Sequence, residues 1–325
     1  MKLTFEQIKS VTFGAVCIEQ QEDGIHFYKC TEKQLAGWYS LDKSLGDRAL
    51  TTTGIRLDFH TDAKEVSFTV DAMGPGTGAK FEILLNDVPE LCAYLPKDDE
   101  PHTFTMALPE GENRVTFILP SHNVPGILKA VELKEAAMFR AHAFDTKIIF
   151  LGDSITQGWN AKHDSMSYAY LVARFFNADC IIHGVGGGRF DKVTFEKVEN
   201  FDPEIVTMAF GTNDLGFYQT LEELEQKADE HLAAVAQAYP DKIRICMTPL
   251  RRIDEETPKA MGTNRQLRQV IERTAKKHGF HVIDGYNILP YSEDFFADGV
   301  HPNALGFSVV ADRMIAAILK AKVSR

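Results

Sequence analysis

Cysteine is scarce in this chain and follows no pattern. Its five cysteines (Cys17, Cys30, Cys92, Cys180 and Cys246) include no CxxC pair and no histidine partner at metal-site intervals. Neither a disulfide framework nor a zinc site is therefore expected, and the odd count favours reduced thiols. No apolar run approaches the ~20 residues that a membrane helix needs. The opening segment, MKLTFEQIKSVTFGAV, lacks an apolar core ending in small residues, so no signal peptide is expected and a cytoplasmic location is. Positive charge is also short. Residues 1–145 hold 14 basic and 22 acidic side chains, the remainder 21 and 24, for a net −11. Nucleic acid and anionic membrane are not expected as partners. A GxSxG nucleophile elbow is absent, which excludes the ordinary α/β-hydrolase motif.

What is present is a globular composition, 44% apolar and 25% charged, over 325 residues. That length accommodates about two domains, each able to bury its own core. From Gly54 to Leu133 apolar residues recur with period two, in GIRLDFHT, EVSFTVDA, KFEILLND, HTFTMALP and NRVTFILPS. Turn-rich pieces, DAMGPGTGAK and LPKDDEP, separate some of these runs. Together they predict an antiparallel β-sandwich, jelly-roll-like, over residues 1–145.

After Asp145 the rhythm changes. Short apolar runs at 147–152, 180–184, 204–211, 242–249 and 281–285 alternate with amphipathic stretches near 166–177, 190–199, 220–238, 256–278 and 304–321. This alternation predicts an α/β domain over residues 146–325, with a five-stranded parallel sheet inside three αβα layers. Ligands of such sheets gather at the carboxyl ends of the strands.

Four segments near that edge carry unusual residues. Ser154, after the first strand in GDSITQG, reads as a helix N-cap or as an exposed nucleophile. The second strand runs into HGVGGGRF, whose glycines fall at 184, 186, 187 and 188. A dinucleotide fingerprint starting at Gly184 would need glycine where Arg189 stands, so the loop offers bare backbone N–H groups to an anion or is a plain turn. Asn213, in GTND after the third strand, either donates its amide to an oxyanion or caps the loop. Asp298 and His301, in DGVHPN before the last helix, are spaced to join carboxylate to imidazole, or to start a helix. In combination they make a nucleophile, oxyanion donors and an oriented base.

These segments resemble the SGNH hydrolases, the GDSL esterase superfamily, in four blocks and in the family's order: GDSITQG, GVGGGR, GTND and DGVHPN. The resemblance covers about residues 146–321 and implies a flavodoxin-like SGNH fold. It implies Ser154 as nucleophile, His301 as general base and Asp298 as its orienter. The oxyanion hole would be the backbone N–H groups of Ser154 and Gly187 with the side-chain amide of Asn213. The chain departs from the family pattern at His183 and at Gly186-Gly187, so Gly187 is preferred to Gly186 or Gly188, and His183 is assigned to structure.

A sandwich followed by such a domain also resembles carbohydrate esterases that remove acetyl groups from xylan or mannan sugars. Acyl transfer through an acyl-enzyme on an acylated carbohydrate is the expectation, with no metal or organic cofactor. Other acylhydrolases of the superfamily, such as lipases or thioesterases, and a non-catalytic carbohydrate-binding protein are the alternatives. Trp159, Arg189 and Arg251, with Arg252, are candidate substrate contacts, each with a packing or surface alternative. Trp38, Tyr39 and Arg48 form either a sugar platform or ordinary packing.

Overall fold

Helix-forming and strand-forming residues interleave from the first turn of the chain. The computed structural model describes residues 1–72, 79–96, 100–290 and 292–324. Helix α1 (Phe5–Ser10) starts at a capping box, in which the Thr4 hydroxyl accepts from the Gln7 N–H and the Gln7 side chain accepts in return. Strands β1 (Thr12–Phe13), β2 (Cys17–Gln21) and β3 (Gly24–Tyr28) follow, then helices α2 (Glu32–Leu41) and α3 (Lys43–Ala49). The antiparallel set continues with β4 (Arg56–Thr61), β5 (Glu65–Ala72), β6 (Lys80–Leu85), β7 (Val88–Tyr94), β8 (His102–Ala107), β9 (Asn113–Ile118), β10 (Gly126–Lys134) and β11 (Phe139–Ala141).

These strands form two sheets. One runs β1-β4-β9-β6-β7 with β11 paired to β4, the other β2-β3-β10-β5-β8. The expected period-two runs fall on β4, β5, β6, β8 and β9, while residues 73–78 and 97–99 of the two turn-rich pieces lie outside the described residues. One apolar cluster draws on both sheets, with Leu57, Phe59, Phe81, Val115 and Phe117 from the first and Val66, Phe68, Val70, Leu128 and Val131 from the second. Phe68 and Phe117 stack at 4.0 Å between centroids. Alternate residues of each strand thus meet in a shared interior, as a sandwich requires.

The parallel sheet contains β12 (Thr146–Gly152), β13 (Ala178–Gly184), β14 (Ile205–Ala209), β15 (Ile243–Met247) and β16 (His281–Ile283), in the order β13-β12-β14-β15-β16. Counted within this sheet the order is 2-1-3-4-5, the doubly wound flavodoxin arrangement, whose switch point lies between its first and third strands. Here that is the gap between the ends of β12 and β14. Gly152 is level with both Gly184 and Ala209, so the three strands open their loops together.

Helices α4 (Ser154–Gln157), α5 (Tyr168–Phe175), α6 (Asp214–Phe217), α7 (Leu221–Ala238), α8 (Asn264–Lys277) and α9 (Ala304–Val323) complete the set. α5 packs on α9 and α7 on α8. Ile148 and Phe150 join the α5/α9 core, and strand alternation sends Ile149 and Leu151 to the opposite face. Gly184 is required by close approach, since a Cβ there would sit 2.3 Å from the Gln157 nitrogen of α4.

Two of the expected helices differ. Over 190–199 there is only a 3₁₀ turn, Lys192–Thr194, because the Asp191 side chain accepts from the Val193 N–H and closes a tight turn. The stretch from 256 becomes helical only at Asn264, after Pro258 and Gly262, where Thr263 and Gln266 form a second capping box.

Two compact units account for the chain. The first contains Met1–Thr31, Leu50–Phe144 and His163–Ser165, the second Glu32–Ala49, Asp145–Lys162 and Met166–Arg325. A single cut after residue 145 therefore does not describe α2 and α3, which pack within the unit of the parallel sheet. None of the five cysteines is in a disulfide.

Candidate active site

Asp153, not Ser154, caps α4. The Asp153 carboxylate accepts from the Ile155 N–H at 2.9 Å, which leaves Ser154 as the first helical residue with its hydroxyl uncommitted to the helix. That hydroxyl lies 2.7 Å from Nε2 of His301. Nδ1 of the same imidazole is 2.8 Å from Oδ2 of Asp298. The bend before α9 makes this possible. Asp298 Oδ1 accepts from the N–H groups of Val300 and His301 at 3.0 and 2.8 Å, and Gly299 supplies a φ of 80°.

Asn160, unremarked in the sequence, donates its amide to Asp298 Oδ2 at 2.9 Å. It stands just beyond α4 with φ 69°, a left-handed position that asparagine tolerates, and that is the signal it offered. Partial burial raises the Asp298 pKa. The N–H groups of His301 and Val300 and the imidazole outweigh it, leaving the carboxyl below its ordinary value and ionised. An ionised acceptor keeps the proton on Nδ1, so that Nε2 faces Ser154 as a base.

The glycine loop is a turn with one uncommitted N–H. Gly188 N–H donates to the Val185 carbonyl at 2.8 Å, Gly187 has φ 81°, and Gly186 is not left-handed. Those features define a type II turn with glycine at its third position. The Gly186 N–H is spent on Gln157 Oε1 at 2.8 Å. Among the described residues, the N–H groups of Gly187 and Ser154 have no hydrogen-bond acceptor. Asn213 donates one amide hydrogen to the Gly188 carbonyl at 2.9 Å, which ties the third loop to the second and leaves its other hydrogen available. A methyl group on Gly186 would lie 3.9 Å from Ser154 Cβ, so the loop borders the serine directly.

Two buried carboxyls brace this arrangement. Asp214 accepts from the Phe190 N–H at 3.0 Å. Its pKa is pushed up to about 7 by burial, which the Phe190 N–H opposes and the nearby Asp153 reinforces. Burial also pushes Asp153 up to about 6, against the Ile155 N–H and His301.

A carboxyl raised on folding binds protons that the unfolded chain has lost. Its stabilising contribution is complete below the unfolded pKa and disappears as pH rises through the folded one. Asp214→Asn keeps an oxygen for the Phe190 N–H and removes the charge. The variant is expected to melt above the parent at about pH 8, by an amount worth at most about 4 kcal/mol, and level with it near pH 4. A difference independent of pH would contradict this.

The remaining candidates take varied places. Trp159 is partly buried, its ring centroid 6.5 Å from that of His301 and tilted by 48°. Arg189 is buried with its guanidinium 3.5 Å above the Phe217 ring. Arg251 lies 4.9 Å above Tyr286, and Arg252 is held by Asp254 and the Thr212 carbonyl. Buried His183 has Nδ1 3.5 Å from the Gln34 amide. Trp38 is buried, whereas Tyr39 is exposed and donates its hydroxyl to Asp47. Beside Asp298 a cavity of about 600 Å³ is lined by Ile253, Ser292, Glu293, Phe296, Ala297 and Gly299.

The sequence profile of the GDSL-like Lipase/Acylhydrolase family matches residues 150–309. No curated protein sequence matches the chain. Among solved structures it is similar to the salicylyl-acyltransferase SsfX3 from a tetracycline biosynthetic pathway, with TM-score 0.81 and 18% identity over 96% of this chain and 94% of that one. A putative GDSL-like lipase from Bacteroides ovatus gives 0.75 and 17% over 99% and 97%. A family two carbohydrate esterase from Clostridium thermocellum, in complex with cellohexaose, gives 0.69 and 17% over 84% and 94%. At these identities the likeness is one of fold.

Proposed function

Since residues 150–309 belong to the GDSL-like lipase/acylhydrolase family, within the SGNH hydrolases, we propose that this chain hydrolyses short-chain acyl esters, O-acetyl groups above all, on carbohydrates. The observation that carries the reading is the continuous chain of contacts Ser154 Oγ, His301 and Asp298 at 2.7 and 2.8 Å. In this reading Nε2 of His301 takes the Ser154 proton as Oγ attacks the ester carbonyl. The tetrahedral oxyanion then receives hydrogen bonds from the Ser154 and Gly187 N–H groups and the free amide hydrogen of Asn213. The imidazolium returns its proton to the departing alcohol, and water repeats the sequence on the acyl-enzyme. Asp298 stays ionised throughout and balances the imidazolium.

Two features support a small acyl group on a sugar. The Trp159 ring centroid lies 6.5 Å from that of His301, and several neighbours in fold are carbohydrate esterases, including an acetyl xylan esterase. Likeness to an acyltransferase keeps a second acceptor in view, because an alcohol in place of water would turn the same acyl-enzyme into a transfer.

The deciding experiment is deacetylation of a panel of acetylated xylo- and manno-oligosaccharides, read by mass and NMR, beside nitrophenyl esters of increasing chain length. The reading expects sugar deacetylation and a steep fall in rate beyond butyrate. Preference for long acyl chains would favour a lipase or thioesterase, and glycan binding without turnover would favour a binding protein. Asn213→Ala is expected to lower kcat about 100-fold while the protein stays folded. A variant with unchanged kcat would remove Asn213 from the oxyanion hole.

A further inference from the structure

We propose that Arg48 is a positioning residue for catalysis: it holds the Gly186–Gly187 peptide in the orientation that turns the Gly187 N–H toward the reacting oxygen. The proposal rests on the reading of Ser154 as nucleophile and of Gly187 as an oxyanion donor. It concerns a residue far outside 150–309, on a helix that lies in sequence among the strands of the sandwich.

The geometry is that of a peptide plane with one edge fastened. Arg48 Nη1 donates to the Gly186 carbonyl at 2.9 Å. In a trans peptide the C=O and the following N–H point in opposite directions, so fixing the Gly186 oxygen fixes the direction of the Gly187 hydrogen. Little else in the loop would do so. Types I and II turns share the bond from the fourth N–H to the first carbonyl and differ by a flip of the central peptide. Here the shared bond is Gly188 to Val185, and the central peptide is 186–187. Glycine on both sides of that peptide lowers the cost of the flip. The Gln157 contact to the Gly186 N–H acts on peptide 185–186 and the Asn213 contact to the Gly188 carbonyl on peptide 188–189. Arg48 acts on the central one. Its hydrogen bond is charge-assisted and polarises the amide, which also makes the Gly187 N–H a stronger donor.

The surroundings of Arg48 are arranged for this. Within their compact unit, α2 packs on the turn Lys192–Thr194 just past the glycine loop, and the Gln34 amide donates to the Glu196 carbonyl at 3.0 Å. Side chains added to the loop would meet this pair of helices. A Cβ on Gly188 would come within 3.1 Å of the Trp38 ring, and one on Gly187 within 2.8 Å of Arg48 Nη1 and 3.2 Å of Leu45. The guanidinium stem is also near the serine, because Arg48 Cδ and Ser154 Cβ lie 3.4 and 3.9 Å from one point, the place of a Cβ on Gly186.

The test compares Arg48→Met, which keeps the stem and loses the donors, with Arg48→Lys, which keeps a charged donor, both in the full chain. Steady-state hydrolysis of nitrophenyl acetate, the rate of organophosphonate labelling, and melting temperature are measured for each. The expected result for Arg48→Met is a fall in kcat of about 10- to 100-fold with KM within about twofold, parallel slowing of labelling, and unchanged melting. Arg48→Lys should recover most of that loss. Parent-level kcat in Arg48→Met, a loss confined to KM, or equal losses in both variants together with lowered melting would overturn the proposal. If Ser154→Ala stays inactive while Arg48→Met matches the parent, only the role of Arg48 is lost. Activity in Ser154→Ala would instead remove the reading on which it rests.

Discussion

Ser154→Ala is expected to lose ester turnover by on the order of 10⁴-fold or more while folding and melting as the parent does. The separation of the two effects follows from where the hydroxyl points. Its contact is with His301, whereas the cap of α4 is supplied by the Asp153 carboxylate on the Ile155 N–H. Removing Oγ therefore takes nothing from the helix. On the proposed reading, what remains is a site with donors for an oxyanion and no nucleophile, good for weak catalysis over water at best. Measurement is direct, by hydrolysis of nitrophenyl acetate, covalent labelling with an organophosphonate, and thermal melting of the same preparations. Loss of activity with a collapsed melting transition, or retained activity, would contradict the assignment.

The second large effect belongs to Asp298→Asn. The N–H groups of Val300 and His301 both donate to Oδ1, so an asparagine there keeps its oxygen on that side and turns its NH₂ toward His301 Nδ1 and the Asn160 amide. Nδ1 must then accept rather than donate. Its proton moves to Nε2, where it faces Ser154 Oγ and cannot receive the serine proton. Loss of the correct tautomer in such a triad costs about 10⁴-fold in kcat. The same is expected near neutral pH with little change in KM. A loss below about tenfold would mean that Asp298 does not orient the base.

Much of this arrangement was legible because its parts are local and the sheet is regular. A buried parallel strand announces itself as a short apolar run, and the five runs fixed where five loops would open. Gly187, Asn213, Asp298 and His301 then acquired meaning from those positions. What the sequence concealed depends on distant packing. α2 and α3 sit between β3 and β4 in the chain, and nothing in the local pattern of Glu32–Ala49 says that they pack in the other unit. Arg48 therefore reads locally as part of a sugar platform or as ordinary packing, whereas its guanidinium donates to a carbonyl 138 residues away. The cap of α4 is hidden for a different reason. Asp153 and Ser154 both suit an N-cap, and only backbone geometry decides that Asp153 takes it. Over 190–199 apolar spacing suggested a helix, but the Asp191 side chain closes a tight turn that competes with it.

The most direct test of the whole account is the identity of the acylated residue. Enzyme mixed with nitrophenyl acetate and quenched in acid within the first turnovers should carry one acetyl group, located by peptide mass spectrometry at Ser154, and the same mixture with Ser154→Ala should carry none. Acetyl on another residue, or rapid hydrolysis without any covalent acyl species in protein whose Ser154 is intact and unlabelled by organophosphonate, would contradict it.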